Sequence, residues 1–163
     1  RKDGMLDTDK CANTITNEVT YNVVLKSLAD AAKDSLKNDS KLASSIGKDG
    51  AKLLDQCWSN DQTPAQKENC LRKTVISFAN KIASIKLDQS IPNQLSIKKD
   101  LTKDSIADFT TCLEKKLPRD ISTATNLSEQ IALCTNKLTR TVAYSVAKES
   151  VSAASIWLIK RLC

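Results

Sequence analysis

The sequence predicts an all-α fold, a disulfide-stapled bundle of five or six amphipathic helices. Three observations carry that reading. Glycine and proline number only three each in 163 residues, too few for the turn-rich connections of a β sandwich. Apolar residues recur every three to five positions over long stretches, as they do on one face of an α-helix. Six cysteines, Cys11, Cys57, Cys70, Cys112, Cys134 and Cys163, stand far apart in the chain, so bridges between them tie long elements together rather than staple a small loop scaffold. A chain of this length is expected to form one domain over residues 1–163, large enough for a hydrophobic core of its own.

The first helix is expected over residues 8–37. Ile15, Val19, Val23, Leu28, Ala31 and Leu36 make its apolar stripe, Asp7 or Thr8 caps its start, and Asn38-Asp39-Ser40 ends it. The second covers residues 41–58, with Leu42, Ile46, Leu53, Leu54 and Cys57 inward. Gly47 and Gly50 lie inside it, each costing roughly 1 kcal/mol against alanine. They permit close packing, a kink or a flap, or simply make an irregular short helix.

The third helix has the clearest start. Thr63-Pro64 reads as an N-cap with proline at the first helical position, and Gln66 completes a capping box. Leu71, Val75, Phe78, Ile82 and Ile85 hold the period to about Leu87. Residues 88–99, with Pro92, read as a linker. The fourth helix covers residues 101–117, with Leu101, Ile106, Phe109, Leu113 and Leu117 inward, and Pro118 stops it. The last begins near Ser122 or Asn126 and carries Leu127, Ile131, Cys134, Leu138, Val142 and Val146 on one stripe.

The cysteines bear on whether that last element is continuous. If the helices run up and down as neighbours, all cysteines but Cys163 lie toward one end of the bundle. An unbroken helix to Cys163 then leaves it about 40 Å from Cys134, against the 7 Å or so that a disulfide spans between Cα atoms. Either the last segment folds back or the first is bent or repacked; the favoured expectation is a break at residues 148–152, with the pairing Cys57–Cys70, Cys112–Cys134 and Cys11–Cys163.

Histidine is absent, which removes the imidazole base, the Ser-His and Cys-His nucleophile pairs and the imidazole metal ligand. The cysteine spacing fits no zinc or iron–sulfur site. Asp3, Asp7 and Asp9 lack the length and terminal glutamate of a calcium loop. Asp100 and Asp104 share a helical face but read as acids complementing a helix dipole. No phosphate-binding glycine loop or nucleophile elbow occurs. No enzymatic activity, metal or cofactor is expected.

The net charge of +6 comes from 25 basic and 19 acidic residues, largely interleaved. With aromatics at 4% and no long basic run, a nucleic-acid partner is not expected. No stretch reaches the eighteen or so apolar residues of a transmembrane segment. Paired cysteines imply a secreted protein, with Asn38 and Asn126 in N-glycosylation sequons. Trp157-Leu158-Ile159 beside Lys160-Arg161 is read as docking on the bundle, with a membrane-interface contact as the alternative.

The architecture resembles that of secreted helical carriers and cytokine-like factors, a likeness that carries no residue pattern with it. Two functions are expected from it: a carrier of a small apolar ligand such as a fatty acid or sterol, or a protein–protein interaction domain acting as a signalling factor or host-directed effector. For the carrier, Ala79, Ala83, Ala143 and Ala147 leave room, and Phe78, Ile82, Leu138, Val142 and Val146 are expected to line the cavity.

Overall fold

The computed structural model describes residues 2–124 and 126–162, and within the helices all side chains except those of residues 2–7, 153 and 155. Among these residues the chain is helical, without strands: α1 (Lys2–Ser35), α2 (Ser40–Cys57), α3 (Pro64–Ser90), α4 (Lys98–Lys116), a 3₁₀ turn (Ile121–Thr123) and α5 (Leu127–Leu162).

Successive helices pack on one another and α5 returns to pack on α1. α3 touches all four other helices and the 3₁₀ turn, for a reason visible in its sequence. Leu71, Val75, Phe78, Ala79, Ile82 and Ala83 form two adjacent columns rather than one stripe, and with Cys70, Thr74 and Leu87 they give nine buried positions. α2 has four and α4 three. A wide apolar arc must be covered from several sides, so α3 becomes the central element.

Helix ends follow local chemistry. The Thr63 hydroxyl accepts from the Gln66 amide N–H at 3.2 Å, and the Gln66 side chain accepts from the Thr63 amide at 3.0 Å; this is the expected capping box. The Asp39 carboxylate accepts from the Leu42 amide at 2.9 Å and caps α2. Leu117 ends α4 immediately before Pro118. α3 runs three residues past Leu87 and α4 starts at Lys98, so the connection between them is shorter than the expected linker.

The first turns of α3 anchor the rest. Cys57–Cys70 joins α2 to α3 with Cα atoms 5.5 Å apart. The Glu68 carboxylate accepts from the Ile121 and Ser122 amides at 2.7 and 3.0 Å, fixing the 3₁₀ turn. Arg72 donates to the carbonyls of Pro118 and Arg119. Cys112–Cys134 ties α4 to α5 at 5.8 Å between Cα atoms.

Three expectations need correction. First, the Cys11–Cys163 bridge is not formed: Cys11 carries a free, exposed thiol, and Cys163 lies outside the described residues. Second, α5 runs without a break through residues 148–152. No glycine or proline interrupts it after Pro118, and without the third bridge nothing requires it to fold back. Third, α1 begins at Lys2, ahead of Asp7 and Thr8, and its stripe is two stripes. Leu28, Ala31 and Leu36 are buried, whereas Ile15, Val19 and Val23 are exposed. The five-residue step from Val23 to Leu28 turns the face by about 140°.

Two outcomes are expected in solution. Alkylation of the native protein without reductant labels Cys11 and leaves Cys57, Cys70, Cys112 and Cys134 unlabelled, as read by peptide mass mapping. Replacing Cys112 and Cys134 together by serine lowers the unfolding free energy by about 3 kcal/mol, since the bridge closes a loop of 22 residues.

Candidate functional site

The residues proposed to line a cavity lie in or beside the core. Phe78, Ile82 and Val142 are fully buried, Leu138 is nearly so, and Val146 packs on the core's edge. Ala79 and Ala83 are sealed against neighbouring helices, whereas Ala143 and Ala147 face solvent. Of all these residues only Leu138 borders either of two open grooves on the surface. Asn38, in the turn between α1 and α2, and Asn126, just before α5, are both exposed.

The larger groove, about 600 Å³, runs between α1 and α2. Ala43, Gly47 and Ala51, four residues apart, put one column of small side chains on α2. Leu25 and Ala29 of α1, with Leu36 just past its end, face them to complete an apolar floor. A Cβ placed on Gly47 would lie 3.8 Å from Cα and Cβ of Ala29, so the helices meet closely at this point and the space opens outward. Lys33, Lys37 and Lys48 stand on the rim with Ser40 and Ser44, and no carboxylate or thiol lines it. The site therefore offers apolar contact and positive charge.

Gly50, three residues on and about 60° around the helix, faces the core. A Cβ there would lie 3.0 and 3.1 Å from ring atoms of Phe78 and 3.3 Å from Leu28. The same helix thus uses one glycine to seal the core and another to leave the groove open.

A smaller groove of about 380 Å³ lies between α4 and α5. Phe109, Leu138 and the Cys112–Cys134 bridge line it, with Asp108, Lys115 and Lys137 giving it mixed charge.

Beyond the groove, α1 is held to the disulfide end by a polar clasp. The Tyr21 hydroxyl donates to the Asp55 carboxylate, and its ring lies 6.2 Å from that of Trp58. Lys67 sits 5.8 Å over Trp58 and donates to Asn17 at 2.8 Å. The bond to Asp55, then burial, then the Asp55 charge, raise the Tyr21 pKa.

Asp100 and Asp104 are exposed, and among the described residues no group of three or more acids or cysteines is placed to hold a metal ion. No protein-family model, curated protein or solved structure matches this chain. The α1–α2 groove was not identified from sequence, although the spacing of Ala43, Gly47 and Ala51 was a usable signal.

The two glycines should respond oppositely to alanine. Gly47→Ala makes ordinary contact and gains helix propensity, raising stability by about 0.5–1 kcal/mol. Gly50→Ala presses on Phe78 and Leu28, both without exposed surface to move into, and lowers stability by about 1–3 kcal/mol. Urea unfolding of the two variants reads the difference. For Tyr21 the sign follows from its raised pKa: the contribution is complete below the unfolded-state value near 10 and is lost as pH rises through the higher folded-state value. The stability gap between wild type and Tyr21→Phe therefore narrows at alkaline pH.

Proposed function

We propose that this chain is a secreted, non-enzymatic binding protein that takes an elongated apolar molecule with an anionic head, such as a fatty acid, in the groove between α1 and α2. The observation that carries this reading is the groove's composition: an apolar floor of small side chains under a rim of three lysines and no acid. Its volume falls in the range of small-molecule sites, about 300–1,000 Å³. The ligand's chain covers Leu25, Ala29, Ala43 and Gly47, and its carboxylate meets Lys33, Lys37 or Lys48. The two disulfides fit an oxidising compartment, which supports secretion. Glycans on the exposed Asn38 and Asn126 belong to the same proposal.

The alternative, a protein-interaction domain, is favoured by one observation. Ile15, Val19 and Val23 form an exposed apolar row on α1, opposite the face that packs on the core.

The deciding experiment is titration with a fluorescent fatty acid. Gly47→Leu fills the groove without pressing on the core, so it should weaken uptake by at least about tenfold while changing stability by less than about 1 kcal/mol. Replacing Lys33, Lys37 and Lys48 by serine should weaken binding of the carboxylate but not of the corresponding alcohol. A wild type that takes up neither probe excludes the carrier reading and leaves the interaction domain.

A further inference from the structure

α5 outlasts the core. Among the described residues its last fully buried one is Val142, yet the helix continues to Leu162. The extension holds an unusual sequence: from Ser150 to Leu162 there is no acidic residue, and Ile156-Trp157-Leu158-Ile159 is an unbroken apolar run.

Successive helical residues point about 100° apart, so these four side chains face all sides of the helix. None is covered: their exposures are 55, 55, 50 and 62%. The expected docking of this segment on the bundle is therefore not what the structure shows. A protein partner covers one stripe of a helix and leaves the remaining apolar side chains in water. A medium that surrounds the helix removes all four from water at once.

Charge narrows the choice of medium. Over residues 146–162 three bases, Lys148, Lys160 and Arg161, stand against one acid, Glu149. Lys160 and Arg161 lie within one turn of the apolar run, where long cationic side chains reach back to a headgroup layer. Arg161 already lies over the Trp157 ring, 4.9 Å from its centroid, and tryptophan favours the same layer. No helix among the described residues is long and apolar enough to cross a membrane, so the contact is with the interface and does not span.

We infer that the C-terminal turns of α5 are a membrane-docking tip that inserts Ile156, Trp157, Leu158 and Ile159 into the surface of an anionic lipid bilayer, with Lys160 and Arg161 on its phosphates. This surface is separate from the α1–α2 groove and does not rest on the reading of that groove.

The test uses the full chain carrying Trp58→Phe, which leaves Trp157 as the single tryptophan. It is mixed with vesicles of phosphatidylcholine, alone or doped with phosphatidylglycerol. The expected result is a blue shift of Trp157 and flotation with the anionic vesicles, reversed by salt. Lys160→Ser with Arg161→Ser should weaken that binding roughly thirtyfold, from about 1 kcal/mol per basic residue. Ile156→Ser with Ile159→Ser should abolish the blue shift. Helix content should be unchanged in both, and Gly47→Leu should bind vesicles like its parent, which separates the tip from lipid held in the groove. Absence of binding to anionic vesicles overturns the proposal, as does binding that survives the two serine pairs. A Trp157 already shielded without lipid, in a species of dimer mass, assigns the tip to a second copy and overturns it equally.

Discussion

The close approach of α2 to α3 at Gly50 is the constraint on which the other packing depends. At this point Leu28 of α1, Gly50 of α2 and Phe78 of α3 share one space, where a further methyl group fits only if its neighbours shift. Phe78 is among the largest fully buried side chains and stands midway along α3. The absence of a side chain at Gly50 lets three helices converge on that ring. The helix-propensity cost of the glycine, roughly 1 kcal/mol, is offset by burial of Phe78, Leu28 and their neighbours at about 25 cal/mol per Å² of apolar surface. The groove follows from the same helix. Three residues earlier, Gly47 brings α2 against Ala29 of α1 on the outer side, and the small residues flanking it leave the space unfilled.

A second constraint acts at the start of α3. Within its first three turns lie Lys67, Glu68, Cys70 and Arg72, which reach α1, the 3₁₀ turn, α2 and the α4–α5 connection respectively. The order of these residues along α3 fixes where each neighbouring segment is held. Cys112–Cys134 then secures α5 to α4. The C-terminal part of α5 lies past these ties and carries Ile156, Trp157, Leu158 and Ile159 exposed. The rigid part of the molecule and the tip proposed to dock on a membrane are thus different parts of the chain.

Much of the fold was legible because it rests on local rules. The Thr63–Gln66 capping box, the stop at Pro118 and the stripe of α3 are short-range signals, and each appears where the sequence places it. The pairings Cys57–Cys70 and Cys112–Cys134 followed from antiparallel neighbours joined by short connections. The errors arose where a long-range assumption replaced a local one. Pairing Cys11 with Cys163 forced a break into α5, although residues 148–152 contain no helix breaker. Joining Val23 to Leu28 as one stripe passed over a five-residue step that moves the face away from the core. The groove was harder to read, because it depends on which column of α2 meets which column of α1. Phe78, Ile82 and Val142 have the composition of a cavity lining and of a core alike, and their burial places them in the core.

Native-state hydrogen exchange measures this division of the chain most directly. Amides of α3, of residues 24–35 in α1 and of residues 127–142 in α5 should be the slowest to exchange, close to the limit set by global unfolding. Amides of residues 8–16 and 148–162 should exchange far faster, although both segments are helical. Protection of the two extensions equal to that of α3 would contradict the account, because it would require them to be packed within the core rather than beyond it.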